Sequence, residues 1–319
     1  MNTLTKNTSI KAIILTGFIA LFAAQADAQY DPMFTQYMFN EMYVNPAYAG
    51  SRDQMSATAA YRNQWVGIEG APETQTFSIH APVRNKKIGV GLNIMNETIG
   101  VTQQLSIYGN YAYRVQTGDN GHFSAGLQGG VISHQEMLAN VAIVDKGDAE
   151  FSANTPKLIL PNAGFGLYYN TDKFYAGLSV PRMIENDVNV YEAEGSMVKN
   201  TAKIKNFHYF LTAGYVFDLS DQVKMKPTAM IKAVAGAPVE ADVNFNFLLN
   251  DRVWAGVGYR TGDAFTFLAQ YQLNDQLRIG YSYDYTTTEL NQYSSGTHEF
   301  TIGYDFAFTP NKVVTPRYF

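Results

Sequence analysis

From Met55 onward the chain is a series of segments in which apolar and polar residues alternate. In residues 277–286 the odd positions are leucine, isoleucine and three tyrosines, and the even positions are arginine, glycine, serine, aspartate and threonine. A period of two indicates a β-strand whose two faces meet different surroundings. We predict fourteen such strands, at about 55–65, 74–82, 87–96, 102–116, 121–134, 160–170, 173–180, 206–218, 223–234, 240–249, 252–260, 264–273, 277–286 and 297–308.

The connections between these segments differ in length in a regular way. Every second connection is a short turn, and most of these turns are rich in Asn, Asp, Thr or Gly, which tolerate tight hairpins. The other set includes three long loops, at 135–159, 181–205 and 287–296. Short turns on one side, long loops on the other and an even strand count are typical of bacterial outer-membrane barrels. We therefore predict an all-β fold, a 14-stranded antiparallel transmembrane β-barrel over residues 55–308.

A soluble β-sandwich is the alternative, because its strands also have one buried and one wet face. Fourteen strands are more than one sandwich needs, and an aromatic content of 14% suits the two interfacial girdles of a membrane barrel. The polar phase carries charges of both signs, which we predict to line a polar lumen. These charged residues are Arg62, Arg114, Lys232, Arg260, Arg278, Asp218, Asp242, Asp284, Glu299 and Asp305.

Residues 1–28 predict export, because Lys6 and Lys11 precede an apolar run over 12–24 and an Ala-Asp-Ala cleavage site. The apolar run is too short to span a bilayer as a helix. Removing this signal peptide leaves a mature chain that begins at Gln29 and has a formal net charge of −6 instead of −5. A mildly acidic chain argues against nucleic acid as a partner. Cysteine is absent, which excludes disulfides, a thiol nucleophile and a lipid-modified cysteine.

Residues 29–54 precede the first strand and contain a helical pattern. Asp31 followed by proline suits the start of a helix, and Asn45 followed by proline would end it. The apolar residues on one face of this predicted helix are Phe34, Tyr37, Met38 and Met42. The helix either packs within the protein, in the lumen or in the periplasm below it, or docks on a secretion partner.

The same stretch resembles the N-terminal hallmark of the PorP/SprF family, outer-membrane proteins associated with type IX secretion and gliding. The matching pieces are Asp31-Pro32, Phe34-Thr35-Gln36-Tyr37-Met38, Asn45-Pro46-Ala47-Tyr48-Ala49-Gly50 and, at the other end, Pro316-Arg317-Tyr318-Phe319. The resemblance implies a non-enzymatic barrel in outer-membrane lipid that works with type IX secretion components. It also implies support for the secretion or surface anchoring of a large adhesin, through the adhesin's C-terminal domain, and a part in gliding motility.

Two segments outside the predicted barrel are available to contact such partners. They are residues 29–54 and a tail over 309–319, which we expect in the periplasm. The candidate partner-binding residues are Phe34, Tyr37, Met38, Asn45, Pro46, Tyr48, Arg317, Tyr318 and Phe319. A core secretion component and a dedicated adhesin partner would share all these features.

Two other functions compete with this interpretation. A diffusion porin or gated channel is compatible with fourteen strands, which can enclose a lumen. An outer-membrane enzyme would need a cluster of Ser, His and acidic residues at the rim, for which His134 with Glu136, Asp145, Asp148 and Glu150 is the best candidate. The five histidines have no metal-ligand spacing, so we expect neither a metal nor a cofactor.

Two further patterns concern the predicted lumen. Lys224, Lys226 and Lys232 lie on one strand, where they would either attract an acidic segment or pair with Asp218, Asp242 and Glu299. Pairs of glycines at a spacing of two are predicted to face the lumen, or to mark bends, at positions where a side chain is missing. These pairs are Gly89/Gly91, Gly164/Gly166 and Gly256/Gly258.

Overall fold

The barrel closes because the first strand pairs with the last. The computed structural model describes residues 32–52, 54–83, 86–141, 153–187, 199–201, 207–235, 237–306 and 318. Strand β1 (Met55–Asn63) is antiparallel to β17 (Thr297–Phe306), with Met55 opposite Phe306 and Asn63 opposite His298. A closed sheet leaves no unpaired edge, which is what a strand structure needs in lipid.

Thirteen continuous strands and one divided strand form the wall. Besides β1 and β17, the continuous strands are β2 Glu73–Pro82, β3 Ile88–Ile99, β4 Thr102–Thr117, β5 Gly121–Glu136, β6 Leu158–Asn170, β7 Phe174–Val180, β12 Val223–Ala233, β13 Glu240–Leu249, β14 Val253–Arg260, β15 Ala264–Gln272 and β16 Leu277–Thr286. Strands β8 (Glu185–Asp187) and β9 (Lys199–Thr201) form a separate hairpin. Five 3-10 turns complete the described elements, at Tyr37–Phe39, Glu41–Tyr43, Pro46–Tyr48, Leu138–Asn140 and Glu289–Gln292.

The divided strand consists of β10 (Tyr209–Tyr215) and β11 (Phe217–Asp218), which both pair with β12. Pro227 on β12 lies beside the break, and proline has no N–H to donate to a strand ladder. At the break, the N–H of Val216 donates to the carbonyl of Lys173 on the β7 side, at 2.7 Å. Counted as one strand, β10 and β11 bring the wall to fourteen strands.

The predicted fold class and strand count are therefore confirmed. The strand ends differ from the predicted bounds by three residues or fewer. The connections after β2, β4, β6, β11, β13 and β15 are short, and we call their side of the barrel the inner end. The opposite side, with the long loops, is the outer end. In bacterial barrels the short turns face the periplasm.

The two faces of the wall differ as the alternation predicts. On β15, Phe265 and Phe267 are 51% and 49% exposed, whereas Thr266 and Leu268 between them are 3% and 8% exposed. Rows of exposed apolar side chains on the other strands extend this surface around the barrel. The result is an outward apolar belt of the kind that a bilayer requires.

Most of the predicted lumen charges are buried inside the barrel. Eight of the ten are buried: Arg62, Arg114, Arg260, Arg278, Asp242, Asp284, Glu299 and Asp305. Lys232 is half-buried. The lumen position of Asp218 was wrong: it is exposed at the inner end of β11 and pairs with Lys173, because the strand ends there beyond the filled part of the lumen. Within the described stretches, no helix is both long and apolar enough to cross a membrane.

Candidate functional site

The lumen is occupied by the segment that precedes β1. We call residues 32–52 the plug. Most of its side chains are buried by the barrel wall, including those of Met38, Met42, Ala47 and Tyr48, which have 2% exposure or less. The plug therefore belongs to the core of the folded protein.

The plug is not the single helix that the sequence pattern predicts. It contains three separate 3-10 turns, and Asn40 between the first two has an extended backbone (φ −155°, ψ 87°). Barrel side chains satisfy backbone groups that a helix would pair internally. Glu299 accepts from two plug N–H groups, and Lys226 donates to the carbonyl of Met38 at 2.9 Å. The predicted cap, Asp31, lies outside the described residues.

The outer anchor of the plug is a carboxylate pair that holds Thr35 and Gln36. The backbone N–H groups of these residues donate to the Glu299 carboxylate at 2.9 and 3.0 Å, respectively. The Thr35 hydroxyl donates to Asp284 at 2.7 Å. Arg62 binds all three groups: its guanidinium lies 2.8 Å from Asp284, 3.1 Å from Glu299 and 2.9 Å from the Thr35 hydroxyl.

A second arginine extends the outer anchor along the wall. Arg260 pairs with Asp242 at 3.0 Å, with Asp263 at 3.0 Å and with Asp284 at 3.3 Å. Asp284 is therefore shared between two arginines and one plug hydroxyl. Charges removed from water are costly unless they are paired and hydrogen-bonded, and this network supplies both conditions.

The middle of the plug packs around a buried lysine. Nζ of Lys226 lies 4.8 Å from the ring centroid of Phe39, and the Phe39 ring meets Trp254 edge-on at 5.3 Å. Glu41, also buried, accepts a hydrogen bond from the Thr212 hydroxyl at 3.0 Å. The middle of the plug thus combines aromatic packing with buried, hydrogen-bonded polar groups.

Asn45 gives the inner half of the plug its shape. Its side-chain oxygen accepts from the N–H of Ala47 at 3.0 Å and so caps the turn Pro46–Tyr48. Its side-chain nitrogen donates to the carbonyl of Leu167 on β6 at 2.9 Å. One side chain thereby caps a turn and fixes that turn to the barrel wall.

Wall glycines make room for this inner half. A Cβ at Gly126 would collide with the backbone of Ala47, and a Cβ at Gly89 would collide with Ala49. Gly166 on β6 similarly faces the Asn45 side chain. Of the predicted glycine pairs, Gly89, Gly91 and Gly166 face the plug, Gly164 faces Pro181, and Gly256 and Gly258 face asparagine side chains of β13. The prediction that they face inward is correct.

Arg52 is the inner anchor, just before β1 begins. It lies 3.3 Å from Asp305, donates to the Phe39 carbonyl at 3.1 Å and donates to the Tyr48 hydroxyl at 3.2 Å. Asp305 also pairs with Arg278, at 3.2 Å. The plug is therefore held by a carboxylate at each end, both on β17.

Small cavities lie between the plug and the wall. Two cavities between the plug and the wall have volumes of about 30 and 40 Å³, next to Tyr37 and Tyr43 respectively. Cavities of this size hold only a few water molecules. The lumen is therefore occupied by the plug where the structure describes it.

The chain runs through the lumen from the outer towards the inner end. Met33 contacts Lys232 near the outer end of β12, and Thr35 contacts Asp284 near the outer end of β16. Gly50, with φ +71°, lies against Gly89 at the inner end. The start of the plug is thus nearer the outer side, and its end leads directly into β1.

Most candidate partner-binding residues lie inside the barrel. Phe34 is half-buried and packs on Tyr43, with ring centroids 5.3 Å apart. The others on the plug are fully buried: Tyr37, Met38, Asn45, Pro46 and Tyr48. Tyr318 is half-buried, and its carbonyl accepts from Lys226. Arg317 and Phe319, like the signal peptide, lie outside the described residues. A role of these residues in partner binding stays a prediction.

Sequence reasoning missed the residues that hold the plug. Thr35, Gln36 and Arg52 were not singled out, nor were Glu299 and Asp284 recognised as their partners. The available signal was that Thr35 and Gln36 are the polar residues within the run from Met33 to Phe39, and that carboxylates lie on the predicted inner face of the last two strands. Only the closed barrel brings those strands to the plug.

The predictions for the lysines on β12 hold only in part. Lys224 is the register partner of Asp218, but the closest contacts of the three lysines are with other groups. Lys224 pairs with Asp251 at 2.5 Å, Lys226 binds the plug and Lys232 lies 3.7 Å from the sulfur of Met33. Asp242 and Glu299 pair with arginines instead. Arginine suits these positions because its planar guanidinium group can bridge several buried carboxylates.

Only part of the candidate cluster around His134 lies within the described residues. His134 is buried near the outer end of β5, and Asp145, Asp148 and Glu150 lie outside the described stretches. Where the chain is described, no group of three or more His, Asp or Glu side chains could hold a metal ion.

Fold and site define an outer-membrane β-barrel whose lumen is occupied by its own N-terminal segment. A family model described as "Type IX secretion system membrane protein PorP/SprF" matches residues 26–304. The chain belongs to the PorP/SprF family, and it is an outer-membrane protein associated with type IX secretion. No curated protein matches the sequence.

Solved outer-membrane barrels are similar in outline. A Pseudomonas aeruginosa FadL homologue is 13% identical, with a TM-score of 0.48, over 88% of this chain and 96% of its own. The CymD monoaromatic hydrocarbon channel is 13% identical, with a TM-score of 0.49, over 86% and 93%. Omp33 of Acinetobacter baumannii is 8% identical, with a TM-score of 0.42, over 79% and 98%.

Proposed function

We propose that this protein is a non-enzymatic docking barrel of the type IX secretion system. In this role it supports the secretion, or the anchoring at the cell surface, of a large adhesin by binding the adhesin's C-terminal domain, and it contributes to gliding motility. The single observation that carries the proposal is the occupied lumen. A barrel filled by a plug with buried anchors at both ends suits rigid attachment better than free diffusion.

Membership of the PorP/SprF family is a second, independent support for this proposal. The outer loops are the surface that a client at the cell surface would meet, because in bacterial barrels the long loops face outward. The wall below them is stiffened by buried ion pairs such as Arg260–Asp242. A stiff wall transmits force from a surface adhesin to the membrane without the pore having to open.

The experiment is an affinity purification of the tagged full-length barrel from native outer membranes, followed by mass spectrometry. The expected result is co-purification of a large adhesin or of its C-terminal domain. Recovery of periplasmic secretion components alone would assign the barrel to the core machinery instead. A barrel purified without either partner would contradict the proposal.

A diffusion porin or gated channel is the second candidate, and the closed fourteen-strand wall supports it. Conductance in planar bilayers separates the two candidates, because a docking barrel with a seated plug is silent. A steady open pore from the purified full-length protein would favour the channel.

A further inference from the structure

Lys226 contacts both the plug and the C-terminal tail inside the barrel. Its side chain is buried, and its ammonium donates to the carbonyl of Met38 in the plug at 2.9 Å. The same ammonium donates to the carbonyl of Tyr318, the second-last residue of the chain. One cation is therefore shared by a plug residue and a tail residue.

The ring of Tyr318 contacts a second lysine, Lys224. It lies 5.5 Å from Nζ of Lys224, which is a cation–π distance. Lys224 is itself fixed by Asp251 in the turn after β13, at 2.5 Å. Tyr318 also packs against the apolar cluster that contains Phe39 and Trp254. The residue is thus bound through its ring and through its backbone.

The chain after the last strand is long enough to reach this place. Strand β12 lies five strands from β17 around the wall, which is about 24 Å at the usual strand spacing. Twelve residue steps separate Phe306 from Tyr318, and an extended chain of that length spans about 40 Å. Binding of Tyr318 therefore requires no change in β17.

We propose that the inner mouth of the barrel contains a peptide-binding site formed by Lys224, Lys226, Phe39 and Trp254. The site takes an aromatic residue of an extended peptide, with the ring on Lys224 and the backbone carbonyl on Lys226. Its occupant is the C-terminal segment of this same chain, through Tyr318. While bound, the tail is not available to other partners, and it supports the plug from below.

The proposal concerns the barrel's own tail and does not rest on an adhesin client. The test uses the barrel truncated after Phe308 and a fluorescent synthetic peptide of residues 309–319. The truncated barrel should bind the peptide at least about tenfold more tightly than the full-length barrel, whose site is already filled. A peptide with Tyr318→Ala should lose about tenfold or more, because a cation–π contact is lost.

Matched lysine variants of the truncated barrel locate the site. Lys226→Met, which keeps the bulk of the side chain but removes the charge, should weaken peptide binding about tenfold or more. Lys157→Met is the control, because Lys157 is exposed just before β6 at the outer end of the barrel, on the side opposite the proposed site. Failure of the truncated barrel to bind, or equal binding by the truncated and full-length barrels, would overturn the proposal. So would equal loss in the two lysine variants.

A second measurement covers the case in which Lys226→Met does not fold. The chain has two tryptophans, Trp65 and Trp254, so Trp65→Phe leaves only the one in the site. In that background, Tyr318→Ala should shift Trp254 emission to longer wavelength, because the half-buried ring no longer covers the cluster. Emission that does not change would count against Tyr318 as the occupant.

Discussion

Arg62 and Glu299 are register partners across the seam where the first and last strands of the barrel meet, and their side chains pair at 3.1 Å. Both are about 1% exposed. The same Glu299 carboxylate accepts the backbone N–H of Thr35, which is 264 residues away in sequence. The pair therefore joins barrel closure to the seating of the plug.

Glu299→Gln should destabilise the protein by about 2–3 kcal/mol, because it weakens hydrogen bonds to a charged group and leaves Arg62 with one carboxylate fewer. The measurement is the free energy of unfolding in detergent by guanidinium titration. Glu69→Gln in an exposed outer loop is the control and should change the free energy by less than about 0.5 kcal/mol. Equal effects of the two variants would show that the buried carboxylate has no special role.

Gly126→Val should unseat the plug while leaving the wall intact. A side chain at this position would meet the backbone of Ala47, and overpacking of this kind typically costs about 1–3 kcal/mol. In planar bilayers, the wild-type protein should be silent and the variant should show conductance steps. Gly129→Ala on the same strand is the control, since a Cβ there has no neighbour within 4 Å. A silent Gly126→Val barrel would mean that the plug stays seated.

Tyr48→Ala should lose about 3–5 kcal/mol of unfolding free energy, because a large buried ring leaves a cavity. The ring meets His80 at 5.2 Å and Tyr168 at 5.6 Å, both edge-on. Tyr48→Phe removes only the hydroxyl that accepts from Arg52 and should lose about 1 kcal/mol. Tyr293→Ala, at a position that is 73% exposed, is the control. Similar losses for the two Tyr48 variants would assign the effect to the hydroxyl and contradict the packing argument.

The orientation of the barrel can be read with single cysteines, because the chain contains none of its own. Tyr293→Cys in an outer loop should react with a membrane-impermeant maleimide on intact cells. Asp275→Cys in an inner turn should react only after the outer membrane is permeabilised, and Ala49→Cys in the plug should stay protected in both cases. Labelling of Asp275→Cys on intact cells would reverse the assignment of the two ends.

The wall was predictable from sequence because lipid and lumen impose opposite demands on neighbouring residues. The run from Phe265 to Gln272 shows this, since each apolar outward residue is followed by one that faces inward. Turn positions followed for the same reason, because the alternation stops where the chain leaves the bilayer. The split at Val216 was not predicted, although Pro227 on the neighbouring strand is the residue that explains it.

The conformation of the plug could not be predicted from the sequence. Its apolar spacing predicts a helix, but Glu299, Lys226 and Arg52 compete successfully for its backbone groups. Glu299 and Lys226 are 264 and 188 residues away in sequence from their plug partners, so no local pattern reveals them. The closest contacts of the β12 lysines were not predicted for the same reason, since they depend on which residues the closed barrel brings together.

The anchors of the plug also set an order of events during biogenesis. The plug leaves the export channel first, yet Asp284, Glu299 and Asp305 belong to the last two strands to be made. Its complete docking site does not exist until the final hairpin is in place and joined to β1. A seated plug therefore reports that assembly is finished, because a barrel stalled before its last strand lacks the carboxylates that hold both ends of the plug.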